Sequence, residues 1–234
     1  APYAGFAALS ADGLSLSTDQ KQMATWLGNV VQIVDLPSRT AAAQLTVDGT
    51  VASASFLGQG FLLVATSQGT VERWDVARQK LMQRYDLGAS EVVGSARGDL
   101  FAVSADTVLV VETRTGKVKY KLAKPNGPGS FLFTPDTARL LIANGPSVLT
   151  WNMETGKQES RQYIGHGRST QGLSITPDGA WLAAGSGDVW KLDTGERRAG
   201  LDMNASTAAL TPDGQLLLGG DGGVWDVAAA QFLG

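Results

Sequence analysis

Three landmarks recur in step along this chain of 234 residues, and they restrict its fold more than any other property. The first is a turn. It reads TPDG at residues 176–179 and 211–214, with FTPDTA at 133–138 and STDQK at 17–21 as close variants. LGQG at 57–60 and ARGD at 96–99 match it more loosely. The turn positions Asp19, Gln59, Arg97, Asp136, Asp178 and Asp213 lie 40, 38, 39, 42 and 35 residues apart. The second landmark ends an apolar run: Val34-Asp35, Trp74-Asp75, Val111-Glu112, Trp151-Asn152, Trp190-Lys191 and Trp225-Asp226, at separations of 40, 37, 40, 39 and 35. The third is a turn five residues further on, at Arg39, Gln79, Gly116, Gly156, Gly195 and Ala230. A period of this length marks a repeat architecture.

Within one period the chemistry is that of short strands joined by tight turns. Proline presets the turn, and the glycine of Asp-Gly accepts positive φ without a Cβ clash. Apolar runs of four to six residues between turns, such as 61–66, 100–104, 139–143 and 215–218, read as strands. Amphipathic windows of helix length are absent, so the expected class is all-β. A unit of four short strands cannot bury both of its faces alone. Six such units repeated radially give a six-bladed β-propeller of four-stranded antiparallel blades. The expected domain is the whole chain, 1–234, with blades at about 12–48, 49–88, 89–125, 126–165, 166–203 and 204–234 plus 1–10.

The unit length, the Trp-Asp endings and the Ser/Thr-x-Asp turns resemble the WD-repeat family of β-propellers, of bacterial type. In that family a strand from one terminus commonly completes the blade begun at the other. The resemblance implies that residues 3–9 pair into the last blade, where only residues 231–234 remain for an outer strand. Gly165-His166 is similar to the family's hallmark dipeptide. By that resemblance His166 would join a structural network with Ser186, Asp188 and Trp190; the alternative is a ligand role for the single histidine. The segments at 112–117 and 153–157 also resemble quinoprotein-type repeats, and lactonase-type propellers share the architecture.

Composition narrows the chemistry. Net charge is −3 and the isoelectric point about 5.2, which makes no electrostatic case for nucleic acid. No apolar run approaches the roughly 18 residues of a membrane helix. There are no cysteines, so disulfides, thiolate chemistry and cysteine-type zinc sites are excluded. One histidine excludes a multi-histidine metal site and leaves no defensible Ser-His-Asp arrangement. Carboxylates at the axis, with Asp188 and Asp221 as candidates, could hold calcium; no other cofactor is expected. The chain begins Ala-Pro-Tyr, which favours a removed signal peptide or a larger parent, and an exported (periplasmic or secreted) protein over a cytoplasmic one.

The resulting functional expectation is a noncatalytic protein–protein interaction scaffold, monomeric or part of a larger complex. Its partner, a protein or peptide, would bind the loop-lined face. The alternative is a small-molecule-binding or metal-dependent, lactonase-like hydrolytic propeller. Candidate binding residues are His166, Arg168, Asp188, Asp221 and Trp26, beside the hairpin positions Gly28, Gln68 and Asn144. Trp26 reads either as an aromatic binding residue or as core filling between blades. The shortened hairpins GSGDVW and GGDGGVW either open a shallow depression or simply economise on loop length. Lys117, Lys119 and Lys121 alternate and would share one face of a strand, as a basic stripe for an acidic partner or as protection of an outer edge.

Overall fold

A computed structural model of the chain describes residues 13–17, 19, 21–123, 130–163, 172–201, 208–219 and 223–234. The described residues contain no helix. Their strands build six four-stranded antiparallel sheets, the blades of a six-bladed β-propeller, as the repeat predicts.

The chain divides into two compact units. The first holds three sheets: β1 (Gly13–Leu16) to β4 (Thr40–Thr46) through β2 (Gln22–Leu27) and β3 (Val30–Asp35); β5 (Val51–Leu57) to β8 (Lys80–Asp86) through β6 (Phe61–Thr66) and β7 (Thr70–Asp75); and β9 (Glu91–Gly94) to β12 (Val118–Leu122) through β10 (Leu100–Ser104) and β11 (Val108–Glu112). The second holds β13 (Phe131–Phe133), β14 (Arg139–Asn144), β15 (Ser147–Asn152) and β16 (Gln158–Tyr163), then β17 (Ser174–Ile175), β18 (Trp181–Ala183), β19 (Asp188–Lys191) and β20 (Arg197–Gly200). Its last sheet is β21 (Ala208–Leu210), β22 (Leu216–Gly219), β23 (Val224–Asp226) and β24 (Gln231–Phe232). The strand that opens the first sheet is β1. The pairing expected of residues 3–9 falls outside the described residues; the last sheet takes its fourth strand from β24.

Side-chain alternation explains how the sheets stack. Successive residues of a strand face opposite sides. On β6, Leu62 and Val64 join Trp26, Ile33 and Leu45 of the first sheet, while Leu63 and Ala65 join Phe101, Val103 and Val111 of the third. A strand buried on both faces must therefore be apolar, and FLLVAT is up to its last residue, Thr66, whose buried hydroxyl is bonded to that of Thr70. The second unit repeats the device: Leu182 and Trp190 pack on Leu141 and Val148, whereas Ala183 and Val189 pack on Leu210, Leu217 and Trp225.

The three landmarks each acquire a physical role. At the first turn Ser17, Thr134, Thr176 and Thr211 donate their hydroxyls to Asp19, Asp136, Asp178 and Asp213. The same hydroxyls accept the backbone N–H five residues on, at 2.9–3.0 Å, and the same carboxylates accept the N–H two residues on. At the second landmark Asp35, Asp75, Asn152 and Asp226 cap the following turn through backbone N–H groups. The third landmark is a left-handed residue in all six units: φ is 59° at Arg39, 49° at Gln79, 71° at Gly116, 68° at Gly156, 69° at Gly195 and 52° at Ala230. A β-bulge lies at the equivalent place in four blades, between Ile33 and Val34, Arg73 and Trp74, Thr150 and Trp151, and Val189 and Trp190. The extra residue on the outer strand breaks the regularity of that edge.

Adjacent first strands are also fastened by serine. Val92 N–H donates to Ser53 Oγ at 2.9 Å and Gly94 N–H to Ser55 Oγ at 3.1 Å. In the second unit Leu173 N–H donates to Ser130 Oγ and Leu210 N–H to Ser174 Oγ, both at 3.0 Å.

Candidate functional site

In the first unit the hairpins β2–β3 and β6–β7 and the links β4–β5 and β8–β9 come together at one end of the blades. Main-chain bonds join them. Val47 N–H donates to Asn29 O and Val51 N–H to Gly28 O; Ser67 N–H donates to Thr50 O and Ala89 N–H to Gly69 O, at 2.7–3.2 Å. Gly49 and Gly69 hold positive φ, 115° and 86°, which favours glycine at both, and a Cβ on Gly69 would also collide with the backbone of Gly88. This end therefore has a backbone fixed by loop-to-loop bonds, while the side chains of Asn29, Asp48, Ser67 and Gln68 are exposed.

Just beneath lies a buried carboxylate. Glu72 is wholly buried; its Oε2 accepts Trp74 Nε1–H at 2.9 Å and its Oε1 accepts Arg84 Nε–H at 2.8 Å. Arg84 stands directly across the β7–β8 ladder and reaches Asp48 at 3.3 Å. A counterpart occurs in the second unit. Asp188 is 3% exposed, and it accepts Ser186 Oγ–H at 3.1 Å and Arg197 Nε–H at 2.9 Å. Gly200 sits opposite Asp188 in the ladder, and the Arg197 guanidinium occupies the space a Cβ there would need. Burial pushes the Tyr85 phenol above its ordinary value, with the Arg73 charge opposing it. Its hydroxyl donates to Thr113 O at 2.9 Å, and Arg73 lies 4.3 Å over the Phe61 ring.

Of the residues singled out in the sequence, His166, Arg168 and Asp221 lie outside the described residues. Trp26 is 7% exposed and belongs to the core between the first two sheets, stacked where Gly13 leaves room for its ring. Ser186 and Asp188 are bonded to each other, two residues before Trp190, while His166, on which the implied network centres, lies outside the described residues. The short hairpin carrying Ser186 is itself buried from Ala184 on, whereas Gln68 and Gly145 at the longer hairpins are exposed. Sequence reasoning passed over Glu72, although its spacing before Trp74 equals that of Asp188 before Trp190. The shared acid-x-Trp pattern was the available signal. Among the described residues no three of His, Cys, Asp and Glu gather as a metal site, and no helix is long and apolar enough to cross a membrane.

No protein-family model matches the chain, and no curated protein does. Solved structures match it. A chain of the crystal structure of the mitotic checkpoint complex superposes with a TM-score of 0.72 at 18% identity, over 90% of this chain and 74% of that one. What is shared at this identity is the fold: a WD-repeat-like β-propeller.

Proposed function

We propose that this protein is a noncatalytic interaction module that binds a protein or peptide on the loop-bearing end of its blades. The observation that carries the reading is the end described above, where bonded backbone holds exposed polar side chains. A surface ordered before binding loses little conformational entropy on association. Loops held on a rigid scaffold are where propellers and other folds place recognition. The likeness to a chain found in a multiprotein assembly supports the same class of role.

The test compares two sets of substitutions in affinity recovery from source-cell extract. Asn29→Ala, Asp48→Ala and Gln68→Ala together remove the loop-end side chains; Gln59→Ala with Arg114→Ala alters the opposite end. One protein recovered reproducibly, and lost with the first set alone, is the expected result. Equal loss with both sets would sink the assignment of the face. Recovery of nothing, with one calcium per chain by elemental analysis, would replace the reading by an ion-dependent small-molecule propeller.

A further inference from the structure

Building on the loop-end reading, we propose that what binds there is a basic segment of a protein partner, one whose arginine or lysine side chains reach Asp48, Asp86 and Asp106 of the first unit.

The two ends of this unit differ in charge. At the loop end stand three hairpins and two links, residues 27–30, 46–51, 66–70, 86–91 and 104–108. The hairpin β10–β11 belongs to this end because Ser104 pairs with Glu91, the residue that opens β9 after the β8–β9 link. These segments hold Asp48, Asp86, Glu91 and Asp106 and neither lysine nor arginine, a balance of −4. The turns at the opposite end, 17–21, 35–40, 57–61, 75–80 and 112–117, hold six cations and four carboxylates, so six minus four gives +2.

The carboxylates of the two ends are also engaged differently. Asp19, Asp35, Asp75 and Glu112 are bonded within their own turns. Asp86 and Asp106 are exposed and take part in no hydrogen bond or ion pair among the described residues. Asp48 meets Arg84 at 3.3 Å, but the same guanidinium is held by the buried Glu72. One cation there faces two carboxylates, so an excess anion remains at the surface.

The spread of these anions selects the ligand. Among the described residues no three carboxylates gather closely enough to hold a metal ion, so one small cation does not engage them together. Nucleic acid and anionic lipid are repelled. Separated anions on a fixed floor are matched by a polypeptide that carries cations at intervals. The floor has room for it: no atom lies within 4 Å of where a Cβ on Gly28 or Gly88 would stand. Exposed Asn29, Ser67 and Gln68 offer amide and hydroxyl groups to the main chain of such a segment. Arginine suits the aspartates better than lysine, because its planar fork meets a carboxylate through two parallel bonds.

A short fluorescent peptide alternating Arg and Ser, and a counterpart with Glu in place of Arg, test this by anisotropy with the whole chain. The basic peptide should bind and the acidic one should not. Asp48→Asn, Asp86→Asn and Asp106→Asn together should weaken binding by roughly tenfold, and raising salt should weaken it further. Glu154→Gln, Asp193→Asn and Glu196→Gln remove as much charge from exposed positions of the second unit and should weaken it by less than about twofold. Equal weakening by the two sets would overturn the proposal in favour of bulk charge, and equal binding of the two peptides would overturn it outright. Displacement of the basic peptide by equimolar calcium would replace the segment by an ion. If a protein recovered from extract is lost with the loop-end substitutions while the basic peptide does not bind, the basic partner is wrong and the loop-end reading stands.

Discussion

Gln79 occupies, with a side chain, the left-handed position that Gly116, Gly156 and Gly195 fill in other blades. Left-handed backbone costs a residue with a Cβ about 1–2 kcal/mol, while glycine loses about 0.5–1 kcal/mol more chain entropy on folding. The difference favours glycine here, so Gln79→Gly should raise unfolding free energy by about 0.5 kcal/mol in urea melts. Thr137 is a stricter case of the same strain: φ is 59° where Gly179 and Gly214 stand in the next blades, yet its hydroxyl accepts Arg97 N–H, which glycine could not do. The turn aspartates allow a prediction in pH. The hydroxyls of Ser17, Thr134, Thr176 and Thr211, and after them backbone N–H groups, hold Asp19, Asp136, Asp178 and Asp213 below the ordinary 3.8. A carboxylate whose folded pKa is depressed stabilises fully above its unfolded value and loses that contribution as pH falls through the folded one. Melting temperature should be flat from neutral pH to about 5 on this account and fall below about 4. Asp178→Asn combined with Asp213→Asn should make the fall shallower; an unchanged profile would show that the turns do not contribute to it.

Each element combines local signals with partners that only register reveals. The Ser/Thr-x-Asp turns were legible because every bond in them spans at most five residues. Glu72 shows the limit. Nothing at position 72 announces that a residue twelve places on, Arg84, will stand opposite it, because that pairing depends on the β-bulge between Arg73 and Trp74. In the corresponding sheet the arginine sits at Arg197, opposite Trp190, and reaches past the bulge to Asp188 over the bare Gly200. Two equal acid-x-Trp signals thus recruit arginine from different ladder positions, and a fixed spacing rule would find only one. The energetic consequence can be measured. Glu72→Ala leaves Trp74 Nε1–H without an acceptor in a buried site and removes one anion from Arg84. Because Arg84 is half exposed, the ion-pair share is small and the unsatisfied donor dominates, for a loss of about 2–3 kcal/mol. Glu72→Gln keeps an acceptor and should lose about 1 kcal/mol. Equal losses in the two variants would mean that charge, rather than the indole bond, fixes this element.

At the scale of the molecule the repeat made the architecture readable, since six units carrying the same landmarks reinforce one another where any single strand is ambiguous. The proposed binding surface had no such support. Exposed loop residues carry few packing constraints, so Asn29 and Asp48 leave no periodic trace, Gln68 is marked only by its place in a hairpin, and Trp26, eligible by sequence, has its ring in the core. The same repeat logic predicts how damage travels. In a radial array each blade contacts its neighbours alone, and stability is close to a sum of blade and interface contributions. Leu62 and Leu63 are adjacent, wholly buried and chemically identical, but they point into different interfaces: Leu62 toward the first sheet and Leu63 toward the third. Each leucine-to-alanine change should lose about 2–5 kcal/mol. Native-state hydrogen exchange should separate them. Leu62→Ala should speed exchange at β2 and β3 and spare β10 and β11; Leu63→Ala should do the reverse, with β6 and β7 affected by both. If both variants instead raise exchange uniformly across the three sheets, the first unit opens as one cooperative block, and coupling between blades exceeds the stability of any one of them.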